Sequence, residues 1–521
     1  MHPRRAAAGH RGLHGLEPHG VQLQRRGSDV PLTNPARRGG PDLAALLGWG
    51  AATAVFAFLA LGQAGLQQDD PYHLALAELL AGGELPRALP WAKHTILADG
   101  FSDLHLGYHA LLAPFVLVLG GVVGGKVLTV LSVATLLVVL LWVAGPQHPA
   151  RGLLPLLLLG ASGVFLLRSM GMRPIPLAAA ATLAVIPLAA RGRHALLTLL
   201  AALYAFSYAA FPLLALPLLA HVLARAVTRR QLAVRPVLAV TLGALVGVLA
   251  HPNLSAFLTV LRVQLFEVAV DHAGGNLEYA APDILAFMGD AALACGALVL
   301  GGIVAWREVP APDPSATAAR REELLAWGLL ALMSLLLALR HVRGVDTFVP
   351  VAVAAAAVAT RSVRPRATRA PAVVLGLLVL PFVALHAHAA FTTSRAFERI
   401  DASGAATWLA RHTDEGAEVF LQDYGAFPRL FRANRHNVYT LGLDPGFMRA
   451  HDPDLYRAYD AAVRLSRDPL PLIERLGARY VYVENSANGR AFYEHLRRHP
   501  ARYAPAYQDS FAAVFVVRRS D

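Results

Sequence analysis

From residue 43 to residue 391 the chain alternates long apolar runs with short breaks rich in arginine or acid. A helix needs about 20 apolar residues to cross the hydrocarbon core of a bilayer. Candidate spans lie at 43–66, 125–144, 152–167, 174–190, 236–251, 284–305, 324–340, 347–360 and 371–391. The stretch 194–225 is too long for one span and short for two, and Tyr204, Tyr208 and Pro212 near its middle predict a compressed helical hairpin. The apolar segment 105–120 opens on Asp103, His105 and His109, which predicts an interfacial or re-entrant helix rather than a lipid-facing span. The pattern predicts about eleven spans. A competing count crosses the membrane at 105–120 and only once in 194–225.

After Phe391 the pattern changes. AEVFLQ (417–422), RYVYVEN (479–485) and FAAVFVVRR (511–519) read as strands. WLARHTDEG (408–416) closes a helix, and PLIERLGA (471–478) and GRAFYEHLRRH (489–499) read as helices. Helix–strand alternation predicts a small soluble α/β domain. The predicted fold class is therefore a polytopic α-helical membrane protein with a C-terminal α/β domain. Its parts are a disordered basic tail (1–40), a transmembrane domain (41–391) with an external loop at 67–124, and the α/β domain (392–521).

Composition agrees. The 521 residues are 55% hydrophobic and only 16% charged, too little polar surface for a large soluble protein. The net charge of +12 would ordinarily raise nucleic-acid binding. Here the arginines fall between apolar segments, which is the positive-inside pattern. No nucleotide-binding signature appears, and Cys295 is the single cysteine, which excludes an intrachain disulfide. Seven arginines precede residue 43. They predict a cytoplasmic N-terminus in the inner membrane, an external loop after the first span and an external C-terminal domain.

Chemistry concentrates at that outer boundary. Asp69-Asp70-Pro71-Tyr72-His73 places two carboxylates beside a proline just beyond the first span. One carboxylate can serve as a general base or cation ligand, and either can cap the following helix. His105 and His109 stand four residues apart, with Asp103 one turn earlier, a spacing suited to a metal. Hydrogen-bonding anchors at the membrane surface have the same spacing. Arg168, Arg173, Arg340 and Arg343 fall on the outer side, against the charge trend. Arginine suits bidentate phosphate recognition, although such side chains also snorkel to lipid phosphates. DYGAFPRLF (423–431) and HNVYTLGLDPGFM (436–448) read as loops facing this site, with ordinary turns as the alternative.

This order of features resembles the GT-C superfamily of membrane glycosyltransferases, which includes protein O-mannosyltransferases and the oligosaccharyltransferase catalytic subunit. DDPYHLALA resembles the D-P-Y-Y-H motif of the latter, LRSMGMRP its S-R-S segment, and LQDYG (421–425) its W-W-D-Y-G motif without the tryptophans. The resemblance implies Asp70 as catalytic or metal-binding carboxylate and Arg168 and Ser169 at the second external loop. It also implies Arg343 as a donor-phosphate contact. The acids that follow S-R-S in the family are absent; Gly171, Met172 and Arg173 stand nearby, and Asp103, His105 or His109 can substitute.

The expected activity is an inverting transfer of a sugar from a polyprenyl-phosphate or -diphosphate donor to an external protein, glycan or lipid acceptor. Asp70 and Asp103 are the expected catalytic residues, and Arg168, Arg173, Arg340 and Arg343 the expected phosphate-binding residues. Tyr72, His73, Asp423 and Tyr424 are expected to touch substrate, and Asp70, Asp103, His105 and His109 to hold a divalent cation such as Mn or Mg. A transporter would instead bury charge at the midplane. A non-catalytic assembly protein would tolerate loss of Asp70.

Overall fold

The computed structural model describes residues 42–63, 65–268, 277–307, 313–362, 370–397 and 402–518, so the expected tail at 1–40 lies outside the described residues. Among the described residues, six helices are long and apolar enough to cross a membrane. They are Leu43–Leu61, Gly121–Ala144, Phe211–Arg229, Pro314–Arg340, Val342–Thr360 and Gly376–Ala396. Three bent pairs raise the number to nine: Arg151–Leu159 with Gly163–Ser169, Val234–Leu249 with Leu254–Val268, and Ile284–Asp290 with Ala292–Trp306. The first of them bends by 86°. The expected eleven are reached if the shorter apolar helices Ile175–Ala190 and His194–Ser207 also cross, with Leu106–Leu119 a third helix of that class.

The first four helices bracket the loop that carries Asp69, His73 and Asp103. Helix α1 (Leu43–Leu61) leads into α2 (Asp70–Ala81), and α3 (Leu106–Leu119) turns into α4 (Gly121–Ala144). The 14 residues of α3 make a helix about 21 Å long at 1.5 Å per residue, short of a span. Gly120, at φ +82°, makes the corner between α3 and α4, and a Cβ at Gly124 would run into the Phe115 carbonyl. The 194–225 stretch is indeed two helices, His194–Ser207 and Ala215–Arg229, joined by a short turn. His194–Ser207 packs tightly on Val234–Leu249 because Gly243 and Gly247 meet the Thr198 and Ala202 carbonyls, the close approach that small residues permit between apolar helices.

Polar groups divide between two ends of the bundle. One end gathers the 67–124 loop, the turn after Ser169, Glu278 and Arg343. Arg173 pairs there with Asp69 at 2.9 Å and with Glu278 at 2.9 Å. At the other, Arg225 and Arg229 pair with Glu322, Arg361 pairs with Glu323, and Arg191 lies over the Trp142 ring.

The C-terminal residues form a five-stranded sheet in the order β2-β1-β3-β5-β4. Strands β1 (Glu418–Leu421), β2 (Val438–Tyr439) and β3 (Tyr480–Glu484) are parallel. Strands β4 (Tyr503–Gln508) and β5 (Ala512–Val517) run antiparallel at the far side. The first loop extends this sheet: Ala92 bridges Tyr439, Tyr439 N–H donates to the Trp91 carbonyl, and Lys93 N–H donates to the Tyr439 carbonyl. Lys93 and His94 both reach Glu418 Oε at 2.8 Å. One apolar core runs through both parts, with Tyr72, Leu76 and Phe101 from the loop packed among Phe420, Phe427, Phe431 and Tyr482.

Candidate active site

A cavity of about 390 Å³ opens where the bundle meets the sheet. Its polar wall includes Asp69, Tyr72, His73, Arg173, Glu278, Arg343, Asp346, Tyr424 and Asp444. Leu97, Phe101, Ile175, Leu213, Val260 and Leu265 form part of its apolar wall.

The two adjacent aspartates have different surroundings. Asp70 is the first residue of α2, with Pro71 behind it, a position where proline's missing N–H costs nothing. Its side chain is 3% exposed and is absent from the cavity wall. Oδ1 accepts Met172 N–H at 2.7 Å, and Oδ2 accepts Gln67 N–H at 2.8 Å. Burial raises its pKa to about 6, against the pull of those two N–H groups and of Arg173. Asp69 occupies the cap position of α2 without a side-chain cap hydrogen bond. It faces the cavity instead and pairs with Arg173. Of the two, Asp69 faces the cavity and Asp70 is buried beside it.

Three guanidinium groups surround one carboxylate. Arg168 Nη1 and Arg173 Nη1 donate to Glu278 Oε1 at 2.7 and 2.9 Å, and Arg343 Nε lies 3.1 Å from Glu278 Oε2. Arg168 also grips Asp346 with two nitrogens, at 2.8 and 2.9 Å, the bidentate geometry that makes arginine pairs strong. Burial opposes the charge on Glu278, but Arg173, Arg343 and Arg168 hold its carboxyl well below the usual range. Arg343 also bonds the Tyr279 hydroxyl. Arg173 and Arg343 are on the cavity wall and Arg168 stands behind them. Arg340 is exposed and away from the cavity wall.

Asp103, His109 and His73 make a buried chain. His109 Nδ1 lies 2.5 Å from Asp103 Oδ2, and His109 Nε2 lies 2.7 Å from His73 Nδ1. Asp103 Oδ1 accepts His105 N–H at 2.8 Å. Burial pushes the Asp103 carboxyl up, but His109 and His105 together bring it below its ordinary value. Burial, with His109 and His105 next, lowers His73 well below its ordinary value, and burial lowers His105 to about 3.

These contacts do not fit a metal. Both oxygens of Asp103, both oxygens of Asp70 and both nitrogens of His109 are engaged by protein groups. Among the described residues, no group of three or more His, Cys, Asp or Glu side chains could hold an ion.

The later loops reach the site unevenly. Tyr424, Leu443, Asp444 and Phe447 line the cavity. Asp423 does not; its Oδ1 accepts Gly425 N–H at 2.8 Å and caps the turn. Sequence reasoning passed over Glu278 and Asp346, although lone acids between apolar runs were a usable signal; Asp444 lies in the 436–448 loop expected to face the site.

No family model and no curated protein matches the chain. Solved structures do. ArnT from Cupriavidus metallidurans bound to undecaprenyl phosphate aligns over 91% of this chain and 98% of its own, at 15% identity and TM-score 0.53. The same enzyme in the apo state aligns over the same shares, at 16% identity and TM-score 0.53. The mycobacterial arabinofuranosyltransferase AftD matches at 17% identity and TM-score 0.42, over 91% of this chain and 40% of its own. At such identities the ArnT likeness shows fold, and it spans nearly the whole chain. The fold is that of ArnT.

Proposed function

We propose that the protein transfers a sugar from a polyprenyl-phosphate or -diphosphate donor to a hydroxyl-bearing acceptor, on the outer face of the cytoplasmic membrane. One observation carries this reading: the arginine cluster around Glu278 opens into a cavity with a long apolar wall. Two guanidinium groups on the wall match a phosphate, and the apolar side suits the first isoprene units. The fold is shared with an enzyme solved with undecaprenyl phosphate bound.

In this reading Arg173 and Arg343 exchange Glu278 and Asp69 for the donor phosphate. Asp69, released from Arg173, accepts the proton of the acceptor hydroxyl. The acceptor oxygen attacks the anomeric carbon opposite the phosphate, and the bond from that carbon to the phosphate oxygen breaks. Its electron pair leaves with the lipid phosphate, where the arginines stabilise it, and the anomeric configuration inverts. Tyr424 and Asp444 face the entering acceptor. The C-terminal sheet packs on the 67–124 loop, which supports acceptor recognition outside the bilayer.

The test is direct. Purified protein in detergent is incubated with undecaprenyl-phosphate sugars, and release of undecaprenyl phosphate is followed by mass spectrometry. Sugar release that depends on an added acceptor and is lost in Arg343→Ala supports the reading. Failure of the wild-type protein to bind undecaprenyl phosphate overturns it.

A further inference from the structure

The Asp103–His109–His73 chain has a direction. Asp103 is ionised and can only accept, so His109 Nδ1 carries the proton between them. With His109 neutral, its Nε2 holds a lone pair and His73 Nδ1 is the donor to it. His73 Nδ1 is thereby fixed as N–H, and its Nε2 is fixed as a lone pair. His73 is on the cavity wall, and the side-chain hydrogen bond that ties it to the chain is made through Nδ1. Arg173 and Arg343, on the same wall, both add to the electrostatic cost of protonating this ring.

We infer that Asp103 and His109 are positioning residues that lock His73 Nε2 as a hydrogen-bond acceptor, and that His73 reads a hydroxyl of the sugar attached to the donor phosphate. This inference rests on the proposed use of the arginines as the phosphate seat. A lone pair beside that seat repels phosphate oxygens and attracts the hydroxyls of the group that the phosphate carries. The phosphate is thus turned to the arginines and the sugar to His73. His73 stays neutral across the physiological range, so the preference does not change with pH.

Asp103→Asn tests the direction. Asp103 Oδ1 accepts His105 N–H, so an asparagine places its oxygen there and turns its NH₂ toward His109 Nδ1. The chain reverses, His109 Nε2 donates to His73 Nδ1, and His73 Nε2 becomes a donor. Nitrogen-15 spectra of histidine-labelled wild-type protein should show a protonated Nδ1 and a bare Nε2 at His73, and Asp103→Asn should exchange them. The sugar-bearing donor accepted by wild type should lose at least about tenfold in kcat/KM. Binding of sugar-free undecaprenyl phosphate should stay within about twofold. His73→Gln, whose side-chain oxygen can replace the lone pair, should retain part of the donor preference and be insensitive to Asp103→Asn.

A wild-type His73 protonated at Nε2 overturns the inference without any variant. Equal losses of sugar-bearing and sugar-free lipid binding in Asp103→Asn overturn it as well, since they assign Asp103 to packing. Absent binding of undecaprenyl phosphate to wild type is instead the failure of the donor reading, and the tautomer measurement still judges the lock.

Discussion

Met172 gives its backbone N–H to Asp70 Oδ1 at 2.7 Å across 102 residues of sequence. One carboxylate therefore ties the start of α2 to the turn that presents Arg173.

We predict that Asp70 is a stability residue. Its pKa rises from 3.8 to about 6 in the folded protein. The folded state therefore holds the proton more tightly, and this group's contribution is full below pH ~4 and lost as pH rises through about 6, an effect on the order of 3 kcal/mol. Asp70→Asn should flatten that fall in thermal midpoint. Its single amide oxygen serves one of the two N–H groups, so it should also lower stability at acid pH by about 1–3 kcal/mol. An unchanged pH profile of thermal unfolding in detergent would show that Asp70 does not titrate in this window.

Asp69 should behave differently. As proposed base on the wall, Asp69→Asn should reduce turnover at least roughly 100-fold while the thermal midpoint stays close to wild type. Near-normal transfer by this variant would remove Asp69 from the mechanism.

Glu278 occupies the place where a phosphate would be held. Glu278→Gln removes the competing charge, so undecaprenyl phosphate should bind more tightly, on the order of tenfold for one charge-assisted contact. Isothermal or fluorescence titration checks this. Weaker binding would mean that Glu278 is needed to hold the arginines in place.

Sidedness is also measurable. Leu85, in the first loop, and Leu232, beside the opposite arginine cluster, are 42% and 72% exposed. In cells, Leu85→Cys should react with an impermeant maleimide from outside, and Leu232→Cys only after the membrane is opened. The reverse pattern would invert the orientation.

The sequence shows the bundle well because lipid leaves only one way to satisfy the backbone: apolar runs of bilayer length must be helices. Strands β1, β3 and β5 were also legible, being rich in Val, Phe and Tyr. Strand β4 was not, since Pro505 interrupts it, and β2 is only two residues long. At the site, sequence spacing was weakest. Asp69 and Asp70 are neighbours whose side chains diverge because α2 begins between them, with Pro71 in its first turn. The partner of Asp103 and His109 proved to be His73, 36 residues from His109, a distance that no helical spacing encodes.

The bridge from residues 91–93 to the sheet edge has a consequence for synthesis. Its partner, Tyr439, leaves the ribosome almost 350 residues later, after the last apolar helix. Until then Trp91 and Ala92 have no sheet to join, and the apolar side chains of α2 have no Phe427 or Phe431 to cover them. The site is thus completed from the two ends of the chain in time as well as in space. A chain cut short before residue 438 should insert its helices yet display an uncovered first loop, a ready target for membrane proteases.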